Sequence, residues 1–250
     1  MSIVNVGKRL VVGALVTVSV LSSMGTATQV VSADGRTGYV YSPEVSKANG
    51  GYNWLENGQP FTGFCYYMGT YYWFVNGIRQ NEGWREAWGY KYWTDATGRA
   101  VQGNVVIDGT AYNFGDNGTY YLRGKGSGYL YDGAAANGGY RWYENGTVYT
   151  GFRYYMGTYY WFVDGVRQNA GWRNAWGYTY FTDNNGRAVQ YIQNVDGKNY
   201  YFGNNGTYYL RDYFTDKALT KQEAEQPEIS QGADAIASLA KLVRINSAEQ

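Results

Sequence analysis

Gly50-Gly51-Tyr52 recurs as Gly138-Gly139-Tyr140, and the match runs on without a gap to Gln102 and Gln190, where 39 of 53 aligned positions are identical. A duplication of this quality constrains the fold before any propensity is considered, because each copy must be a unit that packs against its neighbours. A shorter period runs inside each copy. Turn dipeptides stand at Asn57-Gly58, Asn76-Gly77, Thr97-Gly98 and Asn117-Gly118, then at Asn145-Gly146, Asp164-Gly165, Asn185-Gly186 and Asn205-Gly206, spaced 19, 21 and 20 in both copies. Asn-Gly and Asp-Gly supply the positive φ that tight hairpin turns need. Six residues before each turn glycine is a tyrosine: Tyr52, Tyr71, Tyr92, Tyr112, Tyr140, Tyr159, Tyr180 and Tyr200. Two residues further on come Trp54, Trp73, Thr94, Phe114, Trp142, Trp161, Thr182 and Phe202, on the same strand face by the two-residue period. A lone two-stranded hairpin is marginal in water, so neighbouring hairpins must cover these aromatic faces. The expected fold is all-β, a β-hairpin solenoid of ~20-residue aromatic/Gly repeats, with the tyrosine column in its core. The element near Gly38-Tyr39, echoed at Gly128-Tyr129, opens each unit.

Composition removes several chemistries. The chain holds 29 Tyr, 9 Trp, 9 Phe and 35 Gly, but one Cys and no His. Without histidine there is no Ser-His-Asp or Cys-His catalysis and no imidazole metal ligand. The single Cys65 forms neither an intramolecular disulfide nor a metal-binding cysteine cluster. A formal net charge of +1 gives no basic field for phosphates, which argues against nucleic acid as partner. No cofactor and no metal site is expected.

At the start of the chain, Lys8 and Arg9 precede an apolar run of 12 residues, 10–21, and then Val31-Ser32-Ala33. That order reads as a secretory signal peptide over residues 1–33; a membrane span would need about 20 apolar residues. The expected mature protein is secreted, associated with the cell surface or wall, and free of membrane after cleavage. Residues 34–124 are read as the first repeat unit and 125–211 as the second. After Arg211 aromatics fade, and 212–250 is read as a polar tail that is helical or disordered. Pro227 interrupts it, and Ile236, Leu239, Ala240 and Val243 share one face of a short amphipathic helix.

Tyr-Tyr-Trp-Phe-Val-Asn-Gly at 71–77, Tyr-Trp-Thr-Asp-Ala-Thr-Gly-Arg-Ala-Val-Gln-Gly at 92–103 and Asn-Tyr-Tyr-Phe-Gly-Asn-Asn-Gly at 199–206 resemble the cell-wall-binding and glucan-binding repeats of secreted Gram-positive proteins. These include the glucan-binding region of glucansucrases and choline-binding modules. The resemblance covers roughly residues 38–211. It implies non-catalytic binding, with ligand sites between successive hairpins, to α-glucan, choline-bearing teichoic acid or another wall polymer.

A residue serving a repeated site should occur in both copies. Tyr72 with Tyr160, Gln80 with Gln168, Trp84 with Trp172, Trp88 with Trp176 and Gln102 with Gln190 meet that condition and form the candidate ligand-binding set. Asn81 with Asn169, Arg79 with Arg167 and Arg85 with Arg173 also recur, whereas Cys65, Glu82 and Glu86 are replaced by Arg153, Ala170 and Asn174. A sugar ring wants an aromatic plane and amides for its hydroxyls; a quaternary ammonium wants aromatic faces and no donors. Repeated glutamines beside tryptophans favour a polysaccharide partner, with choline or a bare spacer as alternatives. A glycosidase would need paired carboxylates, but Asp95, Asp116, Asp164 and Asp183 neighbour turn glycines, as do Glu56 and Glu144, and turn chemistry explains them. The chain is therefore read as a binder and not an enzyme.

Overall fold

The computed structural model describes residues 34–43 and 48–248. The expected export segment, 1–33, lies outside the described residues. Those described group into two units, one running to Val105 and including Tyr112–Gly124, the other comprising Val106–Ala111 and the chain from Lys125 onward.

Both are built of antiparallel hairpins in separate sheets of two or three strands, with no closed barrel. In the first unit Gly38–Tyr41 pairs with Tyr52–Glu56, Gly63–Tyr67 with Thr70–Val75, and Gly83–Ala87 with Tyr90–Thr94. A fourth hairpin, Asn104–Ile107 and Thr110–Asn113, is the one in which the division falls. The second unit pairs Gly128–Tyr131 with Tyr140–Glu144, Gly151–Tyr155 with Thr158–Val163, Gly171–Ala175 with Tyr178–Thr182, and Ile192–Val195 with Lys198–Tyr201. The all-β hairpin-repeat architecture expected from the spacing is what the chain adopts.

The turns differ from the expected ones. The two-residue connections of the main hairpins are Met68-Gly69, Trp88-Gly89 and Asp108-Gly109, repeated as Met156-Gly157, Trp176-Gly177 and Asp196-Gly197, each with both residues at positive φ. Asn57-Gly58, Asn76-Gly77, Asn145-Gly146 and Asp164-Gly165 instead turn the second strand of a hairpin into a short third strand. Thr97-Gly98 closes a different turn, in which the Asp95 carboxylate accepts the backbone N–H groups of Thr97 (2.8 Å) and Arg99 (3.0 Å). The glycine there has a second role: a Cβ on Gly98 would meet the Gln80 carbonyl oxygen at 2.5 Å, and Gly186 stands in the same way against Gln168.

Each central hairpin buries both of its faces. On strand Thr70–Val75, Tyr72 and Phe74 join Trp54 in one cluster, while Tyr71 and Trp73 pack beside Phe64, Tyr92 and Ala100 in the next. Alternate residues of a strand point to opposite faces, so a hairpin sandwiched between two others needs aromatics at consecutive positions. That is why runs such as Tyr71-Tyr72-Trp73-Phe74 occur. Backbone bonds reinforce the stacking: the Trp54 N–H donates to the Gly77 carbonyl (2.7 Å) and the Ala100 N–H to that of Tyr71 (2.8 Å). The tyrosine column is accordingly not uniform core. Tyr92, Tyr180 and Tyr200 are buried, Tyr71, Tyr112 and Tyr159 are half-buried, and Tyr52 and Tyr140 are exposed.

The C-terminal segment is an ordered cap, not a loose tail. Leu219 and Ala224 are buried with Val195, Tyr200, Phe202 and Leu210, and Ile229 packs on that cluster. Helix α1 (Lys221–Ala224) begins on a capping box in which Thr220 and Glu223 exchange hydrogen bonds. Helix α2 (Pro227–Ala248) starts at Pro227, which lacks an N–H that a first helical turn could not use anyway. Its buried side runs through Ile229, Ala233, Ile236 and Ala237, whereas Leu239, expected on the apolar face, is 57% exposed. The last hairpin of a stack has an open aromatic face, and this segment covers it. No described helix is long and apolar enough to cross a membrane.

Candidate functional site

Two aromatic boxes stand at equivalent places in the two units. In the first, Phe64, Tyr71, Trp88, Tyr92, Tyr120 and Tyr121 surround a cavity of about 160 Å³, closed by Ala100 and by backbone at Gly118-Thr119. In the second, Phe152, Tyr159, Trp176, Tyr180, Tyr208 and Tyr209 surround another of about 160 Å³, with Ala188 and Gly206-Thr207 in the matching places. The ring geometry repeats as well. Trp88 lies 5.9 Å from Phe64 and 6.0 Å from Tyr92, the latter at 81° between planes; Trp176 lies 5.8 Å from Phe152 and 6.0 Å from Tyr180, at 82°. Tyr71 meets Tyr120 at 5.3 Å, and Tyr159 meets Tyr208 at 5.4 Å.

Each box is assembled from two hairpins and the loop after the fourth strand pair, so none of its walls is local in sequence. The tryptophan is held in an unusual way. Trp88 and Trp176 occupy the first position of their hairpin turns at φ 52° and 51°, a left-handed conformation that suits Gly, Asn and Asp and is unfavourable for a bulky side chain. Both indoles are nevertheless 61% exposed. Such a conformation costs of order 1 kcal/mol or more, and an exposed ring offsets little of that by burial. No charged side chain lines either box. Burial, and next the neighbouring Tyr90, raises the Tyr92 hydroxyl above the ordinary phenol range, and burial with Tyr178 does the same for Tyr180. Both phenols are neutral donors at neutral pH.

A third cavity, of about 280 Å³, lies in the first unit between Tyr39, Tyr52, Tyr67, Met68, Tyr72 and Arg79, with Asn49 at its edge. It too displays a turn residue in the left-handed region: Met68 has φ 48° and is 81% exposed. Unlike the boxes, it includes a guanidinium and an amide.

The ten residues singled out in the sequence take different places. Trp88 and Trp176 each wall a box. Tyr72 and Tyr160 are buried, their hydroxyls accepting from Arg99 Nε (3.2 Å) and Arg187 Nε (3.3 Å); Tyr72 also backs the third cavity. Gln80 and Gln168 turn their amides onto their own strand, donating to the carbonyls of Ile78 and Val166 at 2.9 Å each. Trp84 packs on Trp93 and Tyr112 (5.3 Å each), and Trp172 on Phe181 and Tyr200 (5.3 and 4.9 Å). Gln102 reaches the rim of the first box, its Oε1 accepting from the Gly118 N–H at 3.1 Å. The carbonyl of Gln190 accepts from Gln193. The structure thus gathers two of the ten into the boxes and one onto a rim. The walls not anticipated are Phe64, Tyr71, Tyr92, Tyr120, Tyr121 and their counterparts. For two of them the sequence carries a signal: Tyr120-Tyr121-Leu122-Arg123 recurs as Tyr208-Tyr209-Leu210-Arg211.

No family model matches the chain, and neither does any curated relative. Solved structures do. Choline binding protein F from Streptococcus pneumoniae, solved with a peptidoglycan analogue, aligns at TM-score 0.34 and 20% identity over 67% of this chain and 59% of its own. Alternansucrase in complex with isomaltononaose aligns at TM-score 0.24 and 18% identity over 76% of this chain and 16% of its own. A truncated alternansucrase from Leuconostoc mesenteroides gives TM-score 0.23 and 19% identity over 64% of this chain and 12% of its own. This is a hairpin-repeat protein. The hairpin-repeat protein is similar to both groups named from its sequence, and it spans less than two thirds of the length of each of these structures. At these scores the likeness assigns neither ligand nor role.

Proposed function

We propose that the chain is a non-catalytic module that holds a cell-surface polymer by seating small groups of it in the two aromatic boxes. The observation that carries this reading is the exposed tryptophan forced into a left-handed turn position at the same place in both units. A box of aromatic faces without a charged side chain suits a quaternary ammonium group, each face contributing roughly 0.5–2 kcal/mol. With Gln80 and Gln168 turned away, a choline-type substituent becomes the better fit. Two weak sites on one polymer raise avidity by about 10² to 10⁴, which gives the duplication a purpose. In this reading residues 1–33 direct export, the mature chain is secreted and wall-associated, and 34–124 and 125–211 act as two binding units.

A neutral polysaccharide is the second reading. It is favoured by Gln102 at the rim of the first box and by the Asn49 and Arg79 groups in the third cavity, which supply the donors that hydroxyls need. Passing the full chain over choline-bearing, dextran and amylose matrices separates the two. The expected result is retention by choline matrix, release by free choline, and loss of retention in the Trp88→Ala, Trp176→Ala double variant. Retention by dextran or amylose alone would move the assignment to the polysaccharide. Passage through all three would remove the binding function.

A further inference from the structure

The two units diverge around their fourth hairpin, and the divergence exposes a cationic group. Arg123 and Arg211 are equivalent residues, and both guanidiniums lie over the preceding tyrosine ring, Arg123 at 4.6 Å from Tyr121 and Arg211 at 3.9 Å from Tyr209. Their surroundings differ. In the second unit the chain turns back after Arg211, so that Asp216 Oδ1 accepts from Arg211 Nη1 at 2.6 Å and Tyr213 packs on Tyr201 at 4.9 Å, leaving Arg211 only 7% exposed. In the first unit Asn113 replaces Tyr201 and Gly103 replaces Tyr191. What remains is a polar cleft of about 530 Å³ with Arg123 at its wall. Arg123 makes no side-chain hydrogen bond or ion pair among the described residues.

We propose that this cleft binds a carboxylated sugar, with Arg123 receiving the carboxylate. The second unit supplies the internal precedent: the same guanidinium, on the same tyrosine, is occupied there by the protein's own carboxylate. A guanidinium binds carboxylate by charge-assisted hydrogen bonds, stronger than neutral ones. The rest of the cleft suits hydroxyls and not a second anion. Asn113 and Asn104 are joined at 2.9 Å, Asn113 Oδ1 also accepts from Gly115 N at 2.8 Å, and Asn117, whose amide donates to Asp116 Oδ1 at 3.5 Å, lines the cleft together with it. Asp116 forms no ion pair with Arg123, and its carboxylate accepts from hydroxyls. One carboxylate together with several hydroxyls is the pattern of a uronic-acid residue. The cleft adjoins the first aromatic box, sharing Thr119 with it, and Arg123 lies over the box wall Tyr121.

Trigalacturonate, titrated against the full chain and followed by NMR, tests the proposal, with maltotriose as the neutral control. Saturable trigalacturonate binding is expected, weakened by added salt and at least tenfold weaker in Arg123→Gln, with no matching response to maltotriose. Gly103→Tyr fills the cleft while leaving Arg123 in place; a Cβ at Gly103 meets nothing within 4 Å, and Tyr191 already occupies the equivalent position at φ 61°. That variant should lose trigalacturonate as well, and Trp88→Ala should keep it. Undiminished binding in Arg123→Gln, equal binding of maltotriose, or an Arg123-dependent response to an acidic peptide but not to trigalacturonate would each overturn the assignment.

Discussion

Trp88 and Trp176 show how a residue can be explained by what it does to its surroundings and not by its own stability. A left-handed turn position followed by glycine favours Asn, so a tryptophan there opposes local preference. Trp88→Asn is therefore expected to leave the thermal midpoint unchanged or higher by a few degrees while weakening the first box's ligand roughly tenfold, about 1.4 kcal/mol. Parallel melting and binding titrations check it; loss of stability without loss of binding would make the indole a packing residue. Gly98 poses the opposite case. Its φ of 81° and its approach to the Gln80 carbonyl leave no room for a methyl group, and Gly98→Ala should cost about 1–3 kcal/mol in a denaturant melt. These turns were only partly legible in the sequence. Asn-Gly and Asp-Gly dipeptides announce left-handed turns, and Asp108-Gly109 and Asp196-Gly197 are such turns, but Met-Gly and Trp-Gly at the other four main hairpins carry no such signal.

At the scale of elements, the hairpin period was legible because every repeat has to solve the same burial problem. The allocation of faces was not. A single aromatic column suggests one buried face, whereas each central hairpin is covered on both, and a box wall such as Tyr71 lies in the same column as the buried Tyr92. Only the meeting of two hairpins with the loop at Thr119-Tyr120-Tyr121 makes a box, and no sequence period carries that meeting. The C-terminal helix was legible in the sequence but its role as a cap was not: its apolar residues are sparse, and Leu219, Ala224, Ile229 and Ala233 bury against an existing face instead of forming a core of their own. Thr220→Ala removes the side chain that accepts from the Glu223 N–H and should cost about 1 kcal/mol. Hydrogen exchange should show faster opening confined to α1, α2 and the hairpin Ile192–Tyr201.

Across the whole molecule the absence of histidine and the abundance of buried phenols set the pH response. Burial pushes Tyr39, Tyr143 and Tyr200 up to about 12 from the ordinary 10.0, helped in Tyr143 by the hydrogen bond to Asp132 and in Tyr200 by that to Glu225. A raised phenol favours folding fully below pH 10, where both states are protonated. The contribution is lost between pH 10 and 12, as the unfolded chain ionises first. Thermal midpoints should therefore be nearly flat from pH 6 to 9, with no histidine to titrate, and fall steeply above pH 10 together with the appearance of tyrosinate absorbance. A transition near pH 6.5 would contradict this account.

Two equivalent boxes should give two equivalent ligand responses. The most direct measurement is an NMR titration of the full chain with choline, following the indole N–H signals of Trp88 and Trp176. Both signals should shift with dissociation constants agreeing within about threefold, and Trp88→Ala should abolish the first response while leaving the second intact. If neither indole responds to choline or to isomaltose, or if Trp88→Ala leaves both units' ligand occupancy unchanged, the boxes are not the binding sites.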